Sequence, residues 1–426
     1  MFRRLPLCLL LIAFSPVIRA VPAAAETGVG TTISDFSLKD FRGKTVSFHD
    51  LKDKKGIVVA FLGCDCPLAK LYAPKLQAIS KEYGPRDIAV LGINSNVQDN
   101  NTELGAFARV HGVEFPLLKD PGNVVADQFG AKRTPEFFLL DNKGVILYRG
   151  RMDDQYDIGV QKAAAMREDL VQALKETLEG KPVSVASTEP VGCLIGRVRK
   201  VNPSGEVTYS KHIAKIFNER CVECHRPGEI APFNLTKYEE VVGWGDTIVE
   251  VTEERRMPPW HADPAYGHFR NNARLSDEEL RLIREWVANG QPEGDPKDLP
   301  EPPKFVEGWT IGTPDKIVYM SDKPFKVPAE GTVEYQHITV DPGFKEDMWV
   351  RAAEARPGNR AIVHHIIVFV NPPNQTGLPF MGELIGGYAP GMPPVTGHDG
   401  MAALIPAAQS SPFKCTTRPT GPPKKT

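Results

Sequence analysis

The sequence predicts three folded units in series: an α/β unit, a small all-α unit and an incomplete all-β sandwich. Three observations predict this. Between residues 26 and 185, continuous apolar runs alternate with stretches of helical spacing, the order of an α/β sheet. Between 206 and 298, an amphipathic helix runs into a turn holding two cysteines and a histidine, and a second capped helix closes the span. From 299 to 426 the pattern becomes polar–apolar alternation and strongly apolar strands. Proline-bearing stretches, 186–205 and the start of the third unit at Leu299–Pro303, read as linkers.

The chain of 426 residues is too long for one core. Its composition, 41% hydrophobic and 24% charged, is that of globular protein. A net charge of -2 without a basic block excludes the electrostatic footprint of a nucleic-acid binder. Residues 1–25 read as a secretory signal. Arg3 and Arg4 precede an apolar run from Leu5 to Phe14, and Ala23, Ala24 and Ala25 offer a cleavage site, with Ala20 as a rival. That run is shorter than the roughly 20 apolar residues a membrane span needs. The expectation is an extracytoplasmic, periplasmic-type protein with no membrane span once the signal is removed. Of seven cysteines, Cys8 falls in the signal; the others are Cys64, Cys66, Cys193, Cys221, Cys224 and Cys415. These are few for a disulfide scaffold and typical of redox chemistry.

In the first unit, Ile57–Leu62 and Asp87–Asn94 read as buried strands. Leu68–Tyr83 has helical spacing, Thr102–His111 is helical, and Val124–Phe129 is a short helix. Pro135–Leu140 and Val145–Tyr148 make a hairpin around Asp141-Asn142-Lys143-Gly144, and Gln161–Leu178 reads as a closing helix. Asp153–Asp157 lacks calcium-loop spacing and its central glycine, so it reads as a solvated turn.

Within that unit, Phe61 ends a strand, Cys66 follows five residues later, and Pro74 sits eight residues beyond the cysteine. This spacing resembles the active-site turn of the thioredoxin superfamily. The resemblance implies that Cys66 opens a helix, where the dipole and free N–H groups lower a thiol pKa and expose a thiolate. It also implies a cis peptide at Thr134-Pro135, with Pro135 facing the nucleophile. Ala69 stands where the usual second cysteine would be. Cys66-Pro67 is similar to the peroxiredoxin Cys-Pro, but Gly63 and Val59 replace that pattern's threonine and proline. The span from Asp35 to Cys193 resembles the redoxin branch, the alkyl hydroperoxide reductase and thiol-specific antioxidant (AhpC/TSA) group. Cys66 is then either a reactive thiol or a vestige. Cys64 or Cys193 is the candidate resolving thiol, although a Cys64–Cys66 disulfide would be a strained ring.

In the second unit, Ser210–Arg220 carries Ile213, Ile216 and Phe217 on one face and leads into Cys221-Val222-Glu223-Cys224-His225. Two thiols three positions apart, followed by a histidine, mark covalent attachment of one c-type haem. The cysteines form thioethers and His225 ligates the iron; a zinc pair or a disulfide is the plainer rival. Ser276-Asp277-Glu278-Glu279 is a capping box opening a helix with Leu280, Ile283, Trp286 and Val287. The arrangement resembles a small cytochrome c. Met257, before two prolines, is the expected sixth iron ligand, with His212, His261 and His268 as rivals. Trp244 and Trp260 read as packing residues.

In the third unit, Val333–Val340, Met348–Ala352 and Ala361–Val370 read as strands. Adjacent His364 and His365 are costly to bury without partners. The stretch resembles the N-terminal half of copper type II, ascorbate-dependent monooxygenases, in which a His-His pair supplies two copper ligands. Neighbours on a regular strand point to opposite faces, so sharing one copper needs a bulge. The family's later His-Tyr pair does not follow, and the chain reads as stopping inside this unit. A sandwich remnant with two structural histidines is preferred over a copper site.

The whole order resembles redoxin–cytochrome c–monooxygenase-like proteins. It implies an exported thiol-dependent oxidoreductase or peroxidase that exchanges electrons with its haem and acts on a redox partner protein, a small thiol or a peroxide. The rivals are an electron carrier with a dead thioredoxin-like fold and a haem- or copper-binding sensor.

Overall fold

A computed structural model of the chain describes residues 28–269, 271–327, 333–370, 383–397, 400–407 and 413–419. The expected signal segment lies outside them.

The first unit is built on a seven-stranded sheet. Its strands are β1 (Ser37–Asp40), β2 (Thr45–Ser47), β3 (Gly56–Phe61), β4 (Ile88–Asn94), β5 (Leu117–Lys119), β7 (Glu136–Leu140) and β8 (Ile146–Gly150). A short strand, β6 (Arg133–Thr134), precedes β7 and stays outside this sheet. The order is β2-β1-β5-β4-β3-β7-β8, with β3, β4 and β5 parallel and the other pairings antiparallel. Every residue of β3 is buried, so it reads as a continuous apolar run. Val58 and Ala60 join the core on one face; Ile57, Val59 and Phe61 join the core on the other. Helices α1 (Pro67–Tyr83), α2 (Asn101–Val110) and α4 (Asp169–Leu178) pack on the first face, and α3 (Val124–Phe129) on the second.

Two expectations for this unit need correction. The closing helix covers only Asp169–Leu178, and two-residue strands β9 (Tyr156–Asp157) and β10 (Val160–Gln161) pair where it was to start. Side chains divert the backbone there: Asp154 accepts from the N–H groups of Met166 and Arg167, and Gln155 donates to the Lys162 carbonyl. Nor is Asp153 solvated. It is buried, accepting from the Tyr72 hydroxyl at 2.6 Å and the Lys75 ammonium at 2.6 Å.

The expected linker, 186–205, is not a free spacer. Thr188 donates its N–H to the Arg149 carbonyl, Ile195 is buried in the second-face core, and the Gly196 N–H donates to Asn96. Strand β11 (Cys193–Leu194) pairs antiparallel with β6, setting Cys193 opposite Thr134.

In the second unit a π-helical turn, Tyr209–Ile213, runs into α5 (Ala214–Arg220), followed by α6 (Tyr238–Val241), α7 (Gly245–Glu253) and α8 (Asp277–Ala288). Phe217, Ile248, Ile283 and Trp286 share its core. The capping box holds α8: Ser276 Oγ accepts from the Glu279 N–H, and Glu279 accepts from the Ser276 N–H. Past α8, Gly290 adopts φ +77°, and a Cβ there would collide with the Lys200 carbonyl oxygen.

The third part is sheet-rich. β12 (Gln336–Val340), β19 (Phe413–Pro419), β15 (Val363–Val370) and β16 (Glu383–Tyr388) form one sheet in that order. β13 (Met348–Val350) pairs with β18 (Ala403–Ile405), and β14 (Ala352–Ala353) with β17 (Val395–Thr396). Among the described residues no helix is long and apolar enough to cross a membrane.

Candidate active site

Strand β3 ends at Phe61 and α1 begins at Pro67, a residue that suits the first turn because its missing N–H has no partner there anyway. Cys66 is therefore the N-cap of α1. Its thiol donates to the Thr134 carbonyl at 2.7 Å, and Thr134-Pro135 is cis. Cys66 is 0% exposed, which corrects the expected exposed thiolate. The chain's own β11 segment packs there, with Cys193 against the core that holds Cys66. Gly192 lies so close to β6 that a Cβ on it would collide with the Thr134 carbonyl oxygen.

Burial alone would push the Cys66 thiol up. Hydrogen bonds from the Cys193 thiol and backbone, and from the Ala69 N–H in the first turn of α1, outweigh it and hold Cys66 down at about 6. The Thr134 hydroxyl, buried and without a hydrogen-bond partner of its own, adds to this when the sulfur is charged. Cys193 moves the other way. Its hydrogen bond to Cys66 raises it first, burial next, while Arg133 opposes both. One sulfur is poised as the thiolate and the other as its proton-bearing neighbour.

Cys64 faces a different setting. Its N–H donates to Asp99 at 2.9 Å, and burial, then Asp99, Asp65 and Glu103, push its thiol up. It is a poor resolving thiol for Cys66. A Cβ on Gly63 would lie 2.7 Å from Asn96 Nδ2 and 2.9 Å from Thr134 Oγ1, so the threonine of the peroxiredoxin pattern has no room.

The second unit borders this site. Arg133 donates to the Gly192 carbonyl at 2.8 Å and to both carboxylate oxygens of Glu250 on α7, at 2.5 and 3.1 Å. The Leu194 N–H donates to Thr247 Oγ1 at 3.2 Å. Cys193 touches both the α/β core and the helical core. Sequence reading missed Arg133, Thr134 and Glu250. The adjacency of Thr134 to Pro135 was the available signal for one of them; nothing in sequence joins Arg133 to Glu250.

Cys221, Cys224 and His225 lie on one turn after α5, where the N–H groups of Cys224 and His225 donate to the Cys221 carbonyl. His225 Nδ1 is 3.0 Å from the Phe233 carbonyl, and Phe233 stacks on Trp244 at 4.0 Å. Burial, then Glu279, push the Cys221 thiol up to about 12. Met257 sits on the loop after α7, 41% exposed. His364 lies at a register shift in β15, and its Nδ1 is 2.9 Å from that of His365. Among the described residues no three His, Cys, Asp or Glu side chains gather as a metal-ion site.

Residues 29–149 match the model of the AhpC/TSA family. Among curated relatives, the thiol-disulfide oxidoreductase ResA of Halalkalibacterium halodurans is 26% identical over 32% of this chain and 74% of its own length. The thioredoxin-like protein YneN of Bacillus subtilis is 32% identical over 28% of this chain and 71% of its own. The chloroplastic peroxiredoxin Q of Triticum aestivum is 29% identical over 29% of this chain and 63% of its own. Through residues 29–149 the chain belongs to the AhpC/TSA family and carries a thioredoxin-like oxidoreductase domain.

Proposed function

We propose that the chain is an exported thiol–disulfide oxidoreductase in which Cys66 is the nucleophile and Cys193 the resolving thiol, joined to a unit that holds a c-type haem. The observation that carries this is the pairing of Cys193 with Thr134, the residue whose carbonyl accepts the Cys66 thiol, which sets Cys193 against the core that holds Cys66. The Cys66 thiolate attacks a substrate disulfide, one substrate sulfur leaves as a thiolate and takes a proton, and a mixed disulfide remains. Cys193 then gives up its proton and attacks the Cys66 sulfur. The second substrate thiol leaves, and Cys66–Cys193 becomes a disulfide. The substrate is reduced by two electrons, and an external reductant restores the dithiol. Peroxide is the second oxidant class, but the crowding at Gly63 favours the disulfide.

Cys221, Cys224 and His225 suit a haem by donor chemistry. Two thiols and an imidazole share one turn, and the Phe233 carbonyl engages Nδ1, which leaves Nε2 as the ligating atom. Haem supplies one-electron transfer when bound. Met257 is the proposed sixth ligand; the rival His212 accepts the Thr208 N–H through Nδ1 at 3.2 Å. Export rests on Arg3, Arg4 and the apolar run to Phe14. For His364 and His365 two structural histidines remain the preferred reading; the copper alternative rests on the register shift at His364 and the 2.9 Å between the two Nδ1 atoms.

The test is stoichiometric reduction of a small disulfide and of hydrogen peroxide by wild type, Cys66→Ser and Cys193→Ser, each reduced beforehand and freed of reductant. No disulfide reduction by Cys66→Ser, with one substrate thiol released by Cys193→Ser against two by wild type, supports the reading. Unchanged disulfide reduction by Cys66→Ser overturns it.

A further inference from the structure

The segment that covers Cys66 is held from both units, and on the α/β side the Ile195 and Gly196 N–H groups also bond to Lys132 and Asn96. β11 carries a two-residue ladder to β6. The other ties are the Arg133 guanidinium, which grips the Gly192 carbonyl and Glu250 together, and Thr247 on α7, which holds the Leu194 N–H. Glu250 also meets Arg256 at 3.3 Å. On its outer side the segment borders a cleft of about 460 Å³, lined by Leu194, Ile195, Val249 and Glu250 among others. A strand of two residues has little pairing of its own, and it has space to move into.

We propose that Arg133 and Glu250 are positioning residues for the thiol chemistry: together they latch Gly192–Leu194 over Cys66, hold Cys193 on it, and give way to admit the substrate. The helical unit is then part of the thiol site. The inference rests on the reading of Cys66 and Cys193 as partners. A substrate disulfide must reach a fully buried sulfur, so the cover has to lift before attack and return before Cys193 resolves the mixed disulfide. A bidentate pair between two half-buried side chains suits this, being directional when closed and lost as a unit when one partner turns away.

The test is iodoacetamide alkylation of the reduced full-length chain, read cysteine by cysteine by peptide mass spectrometry, in wild type, Glu250→Gln, Arg133→Gln and the double variant. Cys64 is the internal control, since it is buried in the same core but bonded to the Asp99 loop instead of lying against the segment. The expected result is alkylation of Cys66 and Cys193 more than threefold faster in each single variant, with Cys64 unchanged. The double variant should match the singles, because both substitutions break one unit. A smaller rise at Cys66, or an equal rise at Cys64, overturns the proposal; the latter marks general loosening. If either single variant fails to fold, Thr247→Val removes the second tie and is read the same way. Alkylation of reduced protein does not depend on disulfide formation. If Cys66 and Cys193 never oxidise to a disulfide, the functional reading falls while the latch is still decided.

Discussion

Cys193 stands opposite Thr134 in the β11–β6 ladder, and the Thr134 carbonyl accepts the Cys66 thiol at 2.7 Å. One backbone position thus seats both sulfurs. Removing only the resolving sulfur should stop the cycle halfway. Cys193→Ser is expected to consume one equivalent of a small disulfide, release one substrate thiol and halt with a mixed disulfide on Cys66, while wild type releases both substrate thiols and ends as the internal disulfide. Intact mass after a single addition of substrate reads this directly.

The pH dependence follows from the lowered Cys66 thiol. Thiolate absorbance near 240 nm, taken as wild type minus Cys66→Ser, should rise through a midpoint of about 6. An ordinary cysteine rises near pH 8.5. As pH falls below that midpoint the sulfur takes a proton, and the exchange rate falls with it. A midpoint at 8 or above contradicts the charge arrangement.

The Thr134 hydroxyl has no hydrogen-bond partner except the sulfur it faces when charged. Thr134→Val keeps the shape and removes the donor. A hydrogen bond to a charged group contributes roughly 1.5–3 kcal/mol. The Cys66 midpoint should therefore move up by about one pH unit or more, and Thr134→Ser should restore it.

Glu136 fixes the turn that carries β6. Its side chain is fully buried, and it accepts from Arg149 at 2.7 Å and from the N–H groups of Lys132 and Arg133. Glu136→Ala takes the carboxylate away from the half-buried Arg149 guanidinium and from the N–H groups of Lys132 and Arg133. The expected loss is about 3–5 kcal/mol, seen as a lower urea midpoint.

The haem proposal predicts a covalent pigment. Chain produced in a host with haem-attachment machinery should keep its haem through acid–acetone extraction, and Cys221→Ala/Cys224→Ala should lose it. Retention in the double variant contradicts thioether attachment.

The centre of the first unit was legible because buried parallel strands read as unbroken apolar runs. β3 and β4 fall within one residue of expectation, and α3 matches at both ends. The α8 cap was legible because Ser276 and Glu279 satisfy each other locally. The start of α4 was not, because Asp154 and Gln155 capture backbone groups that helical spacing assigns to the helix. At the site, Cys66 and Pro135 carried local signals. Cys193 was legible as a candidate thiol, but its pairing depends on a two-residue strand between residues far apart in sequence. The Arg133–Glu250 pair joins two units, and no spacing rule reaches that distance.

The central claim is that Cys66 and Cys193 form one dithiol centre. It is tested most directly by oxidising the reduced full-length chain with one equivalent of a small disulfide and mapping non-reduced peptides by mass spectrometry. A Cys66–Cys193 cross-link, with Cys64 still free, is the predicted result. A Cys64–Cys66 bond, or an unlinked Cys66, contradicts it.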